Sequence, residues 1–183
     1  MSEFLKAIPI ILEHEGDWVD DPADRGGETR FGISLKMIVS TLGIKPADLG
    51  LLDFNPGCMK LLTKGKACEI YRKYFWDKHN LDAVIDQNAA TKIFDATVNM
   101  GSRWGVKCAQ RACEADDDGI LGSKTLAAIN KMGPGFEDAM ALTMKKRYED
   151  IIARNPSQVK FQRTWFFRAG CVSTARCICH PHG

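Results

Sequence analysis

Apolar residues recur at helical spacing from the start of the chain. Phe4, Ile8, Ile11 and Leu12 share one face, and Glu15, four residues after Ile11 and three after Leu12, continues it. A polar run follows in which Asp21-Pro22 favours a turn, Gly26-Gly27 permits positive backbone dihedrals, and Thr29 to Ile33 is β-branched or aromatic, as in a short strand. A helix does not survive that composition, so a hairpin is predicted after the first helix. Beyond it the pattern predicts a short helix near 34–42, and residues 35 to 62 are otherwise interrupted by Gly43, Pro46, Gly50 and Asn55-Pro56-Gly57.

The remainder reads as helical. Ala67, Ile70, Tyr71, Tyr74 and Phe75 follow the i, i+3, i+4, i+7, i+8 spacing of an amphipathic helix, with Thr63 placed to cap it. Ala90, Ile93, Phe94, Thr97 and Met100 predict another, ended by Gly101, in which Asp95 and Asn99 lie one turn apart on a shared face. Further helices are predicted over Trp104 to Ala115, from a Ser123 cap through Leu126, Ala127 and Ile129, and from Phe136 to Arg154 between Gly133-Pro134-Gly135 and Asn155-Pro156. A last one is predicted from Gln158 to Ala169 with Trp165 and Phe166 buried. No internal repeat or low-complexity linker interrupts this order.

A chain of 183 residues that is 45% hydrophobic can bury a substantial core in one domain or two small ones. Its net charge of +2 is too close to balance to point to nucleic acid, and attraction to any anionic surface would be weak and salt-dependent. Met1-Ser2-Glu3 lacks the basic start of an export signal, and the apolar residues 4 to 12 are too few to cross a bilayer. With seven cysteines, an odd number, reduced thiols in the cytoplasm are the expectation. Cys108 and Cys113 are expected to pack as small apolar groups, because their spacing in a helix is too wide for an unstrained bridge.

The chemistry concentrates at the first helix end. A carboxyl group carried on the apolar face, as Glu15 is, is disfavoured in its ionised form, which suits a proton donor working near neutral pH. Asp24 lies nine residues after Glu15 and Thr29 fourteen after it, so a tight loop would bring a second carboxylate and a hydroxyl opposite the first. Carboxyl pairs flanking one bond are what glycoside hydrolysis uses.

Glu15-Gly16, Asp21-Pro22-Ala23-Asp24, Gly26-Gly27, Thr29 and Gly32-Ile33 resemble the signature of the glycoside hydrolase family 108 lysozymes, E-G-G-Y-x-x-D-P-x-D-x-G-G-x-T-x-x-G-I, with Asp17 and Trp18 in place of Gly and Tyr. Phe94 to Gly101 and Asp118-Gly119-Ile120-Leu121-Gly122-Ser123-Lys124-Thr125 resemble the peptidoglycan-binding segment that follows in this family. The resemblance spans residues 3 to 170 and weakens at Thr164-Trp165-Phe166-Phe167-Arg168, which stands where the family has G-W-x-x-R. It implies a lysozyme-like α+β fold, predominantly α-helical, with a small β-hairpin after the first helix, and the helix-hairpin unit as one wall of a cleft.

The implied substrate is peptidoglycan, cut at the β-1,4 bond between N-acetylmuramic acid and N-acetylglucosamine. Glu15 is the implied proton donor, and Asp24 stabilises the oxocarbenium-like transition state or activates water. Thr29 orients water or is simply a strand residue. No cofactor and no metal are required. The domain reading is a catalytic segment over 1–90, a peptidoglycan-binding-like helical segment over 91–170 packed with it as one unit, and a Cys/His-containing tail over 171–183.

Each candidate has a plainer competitor. Glu15 could form a helix-end salt bridge, and Asp24 could satisfy turn amides. Asp20 and Asp21 suit a structural turn. Asp95 and Asn99, candidate substrate-binding residues, either line a saccharide cleft or tie helices by buried hydrogen bonds. Among the aromatics that could stack on sugars, Phe31, Trp76 and Trp104 suit the core, and Trp18, within the motif, is the substrate candidate. Asp116-Asp117-Asp118-Gly119 lacks the alternating ligands of a calcium loop and reads as a solvated turn. Cys171, Cys177, Cys179, His180 and His182 are zinc-type ligands in no standard zinc spacing and read as a tail.

The expected partner is the peptidoglycan glycan strand, with no nucleic acid and no stable membrane insertion. Without an export signal the protein would reach the periplasm or wall by a phage holin or a secretion system. A non-catalytic peptidoglycan-binding or secretion-accessory protein is the main alternative function, and a zinc-dependent interaction module the third.

Overall fold

The computed structural model describes residues 2–16, 18–19, 28–51, 53–55 and 57–170, with the side chains of Trp18 and Val19 excepted. The first helix, α1 (Phe4–Glu15), runs where the apolar spacing placed it, and Ala7, Ile8 and Ile11 on its inner face are buried. Three short strands follow, β1 (Trp18–Val19), β2 (Thr29–Arg30) and β3 (Ile33–Ser34), in one antiparallel sheet of order β1-β2-β3. A π-helical turn over Met37–Leu42 occupies the position of the predicted short helix. The chain then passes through 3-10 turns at Pro46–Leu49 and Cys58–Leu61 into α2 (Lys64–Tyr71), which continues as a π-helical Arg72–Trp76. Thr63 caps α2 as expected, its hydroxyl accepting from the Lys66 N–H at 3.2 Å.

Helices α3 (Gln87–Asn99), α4 (Ser102–Ala112), α5 (Ser123–Met132), α6 (Gly135–Arg154) and α7 (Gln162–Gly170) complete the described chain. Contacts divide it into two compact units, residues 8–74 and residues 1–7 with 75 onward. In the first, Ile8, Ile11, Ile33, Ile38, Met59 and Tyr71 are among the buried residues. In the second, α3 is central and packs on α4 and α6, and α6 packs on α4 and α7. Gly105 of α4 leaves no room for a side chain: a Cβ there would lie 2.5 Å from the Thr97 backbone nitrogen. Phe4, Trp76 and Phe94 form a triangle with ring centroids 5.5 to 5.9 Å apart.

Several predicted boundaries shift for identifiable reasons. Instead of reaching Ala115, α4 ends at Ala112, because Glu114 turns left-handed at φ 55° and the Ala115 N–H returns to the Gln110 carbonyl at 2.9 Å. Ser123 is the first residue of α5 rather than its cap; Gly122 occupies that position and offers no side chain. The predicted last helix begins as a 3-10 segment, Pro156–Phe161, before α7. Trp165 and Phe166 are half-buried, with Trp165 stacked on Tyr148 at 5.0 Å and 16°. Most consequentially, α3 is buried continuously from Ala89 to Thr97, not only along its apolar stripe.

Candidate active site

Glu15 is the last residue of α1 and is half-buried; Gly16 then leaves the helix at φ 73°. The sheet that follows pairs Trp18 with Arg30 and Val19 with Thr29, and then Thr29 with Ser34 and Arg30 with Ile33. Only Phe31 and Gly32 separate the last pair, and both have positive φ, 51° and 74°. They form a two-residue hairpin turn of the I′ kind. The stretch from Thr29 to Ile33, read from its residue types as one strand, therefore folds back at its middle. Gly32 supplies the required dihedral, and no local pattern marks Phe31 for the other.

That turn lies directly on Glu15. A Cβ built on Gly32 would come within 2.5 Å of the Glu15 Cβ and 2.6 Å of its Cγ, and would also collide with Oε2. The glycine thus lets backbone lie along the length of the glutamate side chain. On the preceding residue, the Phe31 carbonyl accepts a hydrogen bond from the Tyr71 hydroxyl at 2.7 Å, and Tyr71 is fully buried. Thr29 is half-buried on β2.

Glu28, which the sequence reading passed over, anchors the same sheet. Its carboxylate accepts from the backbone N–H groups of Gly57 and, at 3.2 Å, Met59, while its carbonyl accepts from the Leu35 N–H at 2.9 Å. The signal that could have found it is Gly57, which precedes the short 3-10 helix Cys58–Leu61, whose first N–H groups need acceptors.

Asp95 and Asn99 do share a face of α3, as predicted, and their partners come from α7 and α6. The Arg168 Nε donates to both Asp95 carboxylate oxygens at 3.0 and 3.1 Å, and its Nη2 lies 2.8 Å from Oδ1. Three residues before Asp95, the Lys92 ammonium is also buried and donates to the Arg168 carbonyl at 3.1 Å and to that of Ala169. These are end carbonyls of α7, which lack partners within their helix. Asn99 accepts from the Tyr148 hydroxyl at 2.6 Å. Of the two readings of Asp95, the geometry favours the helix tie, since the residue is 3% exposed.

The D-G-x-x-G-x-x-T segment is organised by Gln110, a second residue the sequence reading missed. Its amide nitrogen donates to Asp118 Oδ1 at 2.7 Å and to the Ile120 carbonyl at 3.0 Å, and its oxygen accepts from the Gly119 N–H at 2.8 Å. The Gln110 amide, followed by the Ile120 N–H, holds the Asp118 carboxyl below its ordinary range. The segment is a turn leading into α5. Trp76 is fully buried and donates to Asp82, whereas Trp104 is half-buried beneath the Arg147 guanidinium, 3.6 Å from its centroid.

Cys58, Cys68, Cys108 and Cys113 are free thiols, and burial pushes all four above the ordinary range, as suits packing rather than reactivity. Cys108 is buried and Cys113 half-buried. Among the described residues, no group of three or more His, Cys, Asp or Glu side chains could hold a metal ion, and no helix is long and apolar enough to cross a membrane. Asp20, Asp21, Asp24, the Trp18 side chain and the Cys/His tail of 171–183 lie outside the described residues.

Comparison with known proteins gives this geometry a family context. The family described as Glycosyl hydrolase 108 matches residues 8–101, and the one described as Predicted Peptidoglycan domain matches residues 97–170. A solved structure, that of Brucella abortus SagA, is similar at 28% identity and a TM-score of 0.76, covering 94% of this chain and 92% of that one. The match bears out the predominantly helical, lysozyme-like α+β fold. No curated protein matches the chain.

Proposed function

Because the chain belongs to the glycosyl hydrolase 108 family and also matches a peptidoglycan domain, we propose that it is a lysozyme that cuts the β-1,4 bond between N-acetylmuramic acid and N-acetylglucosamine. The observation that carries this reading is the seat of Glu15, a half-buried carboxyl at the end of α1 with the Gly32 backbone laid along it, inside the family-matched segment. In the proposed reaction Glu15 gives its proton to the glycosidic oxygen as the bond from that oxygen to the anomeric carbon breaks. Positive charge then develops at the anomeric carbon and ring oxygen. Asp24 is the proposed second carboxylate, stabilising that charge or activating water, with Thr29 orienting the water and Trp18 contacting the glycan.

Support for the wall as the place of action comes from the two family matches together. The test is release of reducing ends from isolated peptidoglycan, with mass analysis of the products to identify the bond. Glu15→Gln is expected to stay folded and to lose about 100-fold or more in turnover, the scale of one general acid. Tight binding of glycan by the unmutated protein with no cleavage would replace this reading with a wall-binding accessory role.

A further inference from the structure

Phe31 holds a backbone conformation, φ 51°, that a bulky L residue ordinarily avoids. Two-residue turns of this kind normally place Gly, Asn or Asp there. Some contact must hold a phenylalanine in that state, and the Tyr71 hydroxyl provides one by donating to the Phe31 carbonyl at 2.7 Å from the C-terminal end of α2. Tyr71 is fully buried, so little space is left for its ring to swing away from that carbonyl. The carbonyl it holds belongs to the peptide that joins Phe31 to Gly32. Gly32 is the residue laid along Glu15 without room for a single added carbon. Releasing that peptide lets Phe31 relax toward negative φ and lifts Gly32 off the glutamate.

We propose that Tyr71 is a positioning residue for Glu15. Its hydrogen bond keeps the Phe31-Gly32 turn left-handed, and the turn braces the Glu15 side chain in one orientation. Tyr71 acts through the turn and not on the reacting atoms. The inference rests on the reading of Glu15 as the proton donor, and its test separates the two.

Tyr71→Phe keeps the ring volume and removes only the bond. It is expected to lower kcat on sonicated peptidoglycan by roughly fivefold to tenfold, the worth of one neutral hydrogen bond, with KM unchanged. Phe31→Gly removes the conformational penalty at that position, so in its background Tyr71→Phe should cost no more than about twofold. A purely structural role for Tyr71 would give the same loss in both backgrounds. An activity-independent readout is the nuclear Overhauser contact between the Gly32 α protons and the Glu15 β and γ protons. It should weaken in Tyr71→Phe and return in the double variant.

Unchanged kcat with an undiminished Overhauser contact in Tyr71→Phe overturns the proposal, as does an equal fall in both backgrounds. If Tyr71→Phe alone does not fold, the proposal requires that the double variant does, and a double variant as unfolded as the single one overturns it. Should the unmutated protein leave peptidoglycan uncut, the reading of Glu15 as the acid falls, and the Overhauser comparison alone decides whether Tyr71 positions it.

Discussion

Replacing Asp95 with asparagine separates a helix tie from a glycan contact. The Asp95 and Arg168 side chains are 4% and 10% exposed and meet through Nε and Nη2. The substitution leaves the guanidinium in place against a neutral amide, in a region that also buries the Lys92 ammonium. Removing one partner of a buried pair costs about 3–5 kcal/mol, and the amide oxygen still accepts one bond, which puts the expected loss near the lower end, about 3 kcal/mol. At roughly 2–4 °C per kcal/mol for a chain of this size, the melting temperature should fall by about 6–12 °C.

Circular dichroism melts provide the measurement, with KM for peptidoglycan determined in parallel. Added salt should leave the difference intact, because a pair this deeply enclosed is poorly screened. Replacing both partners, as Asp95→Leu with Arg168→Met, should recover much of the loss by removing the stranded charge. Asp95→Asn melting within about 2 °C of the unmutated protein, on the same scale, with a raised KM would refute the tie and return Asp95 to the glycan.

Two further outcomes follow from buried polar groups. His79 is 7% exposed, its Nε2 meets no hydrogen-bond partner among the described residues, and burial, assisted by Lys78, lowers its pKa from 6.5 to about 4. The folded protein therefore takes up this proton less readily than the unfolded chain, so stability is full above pH 6.5 and declines as pH falls to about 4. The total is about 3 kcal/mol, and denaturant unfolding of His79→Phe across that window should lack this component. Gln110→Ala should destabilise by about 2–3 kcal/mol by stranding the groups Gln110 satisfies, with faster amide hydrogen exchange at Gly119 and unchanged exchange refuting it.

The candidate site was legible wherever its chemistry is local. Glu15 closes a helix whose stripe could be counted, and Thr63 precedes a regular apolar period and caps it. The central helix shows where such counting stops. Thr91, Lys92 and Asp95 of α3 are polar residues outside its apolar stripe, yet all three are buried, and Arg168 and the end carbonyls of α7 satisfy the two charged ones. Polarity predicts exposure only when no partner arrives from elsewhere. Phe31 misleads in the same way: an aromatic residue of good strand propensity holds a turn position, with Tyr71 bonded to its carbonyl.

By itself, the sequence determined the order of the helices, the break after Glu15 and the family, because periodicity, turn residues and motif spacing are properties of neighbouring residues. Only the tertiary structure decided that Gly32 would lie along Glu15, that Glu28 would hold the turn at Gly57, and that Arg168 would close over Asp95. Tyr71 and Phe31 are 40 positions apart, and Arg168 and Asp95 are 73 apart. Contacts at such separations form when packing brings whole elements together, and no pattern within one element encodes which distant side chain will meet it.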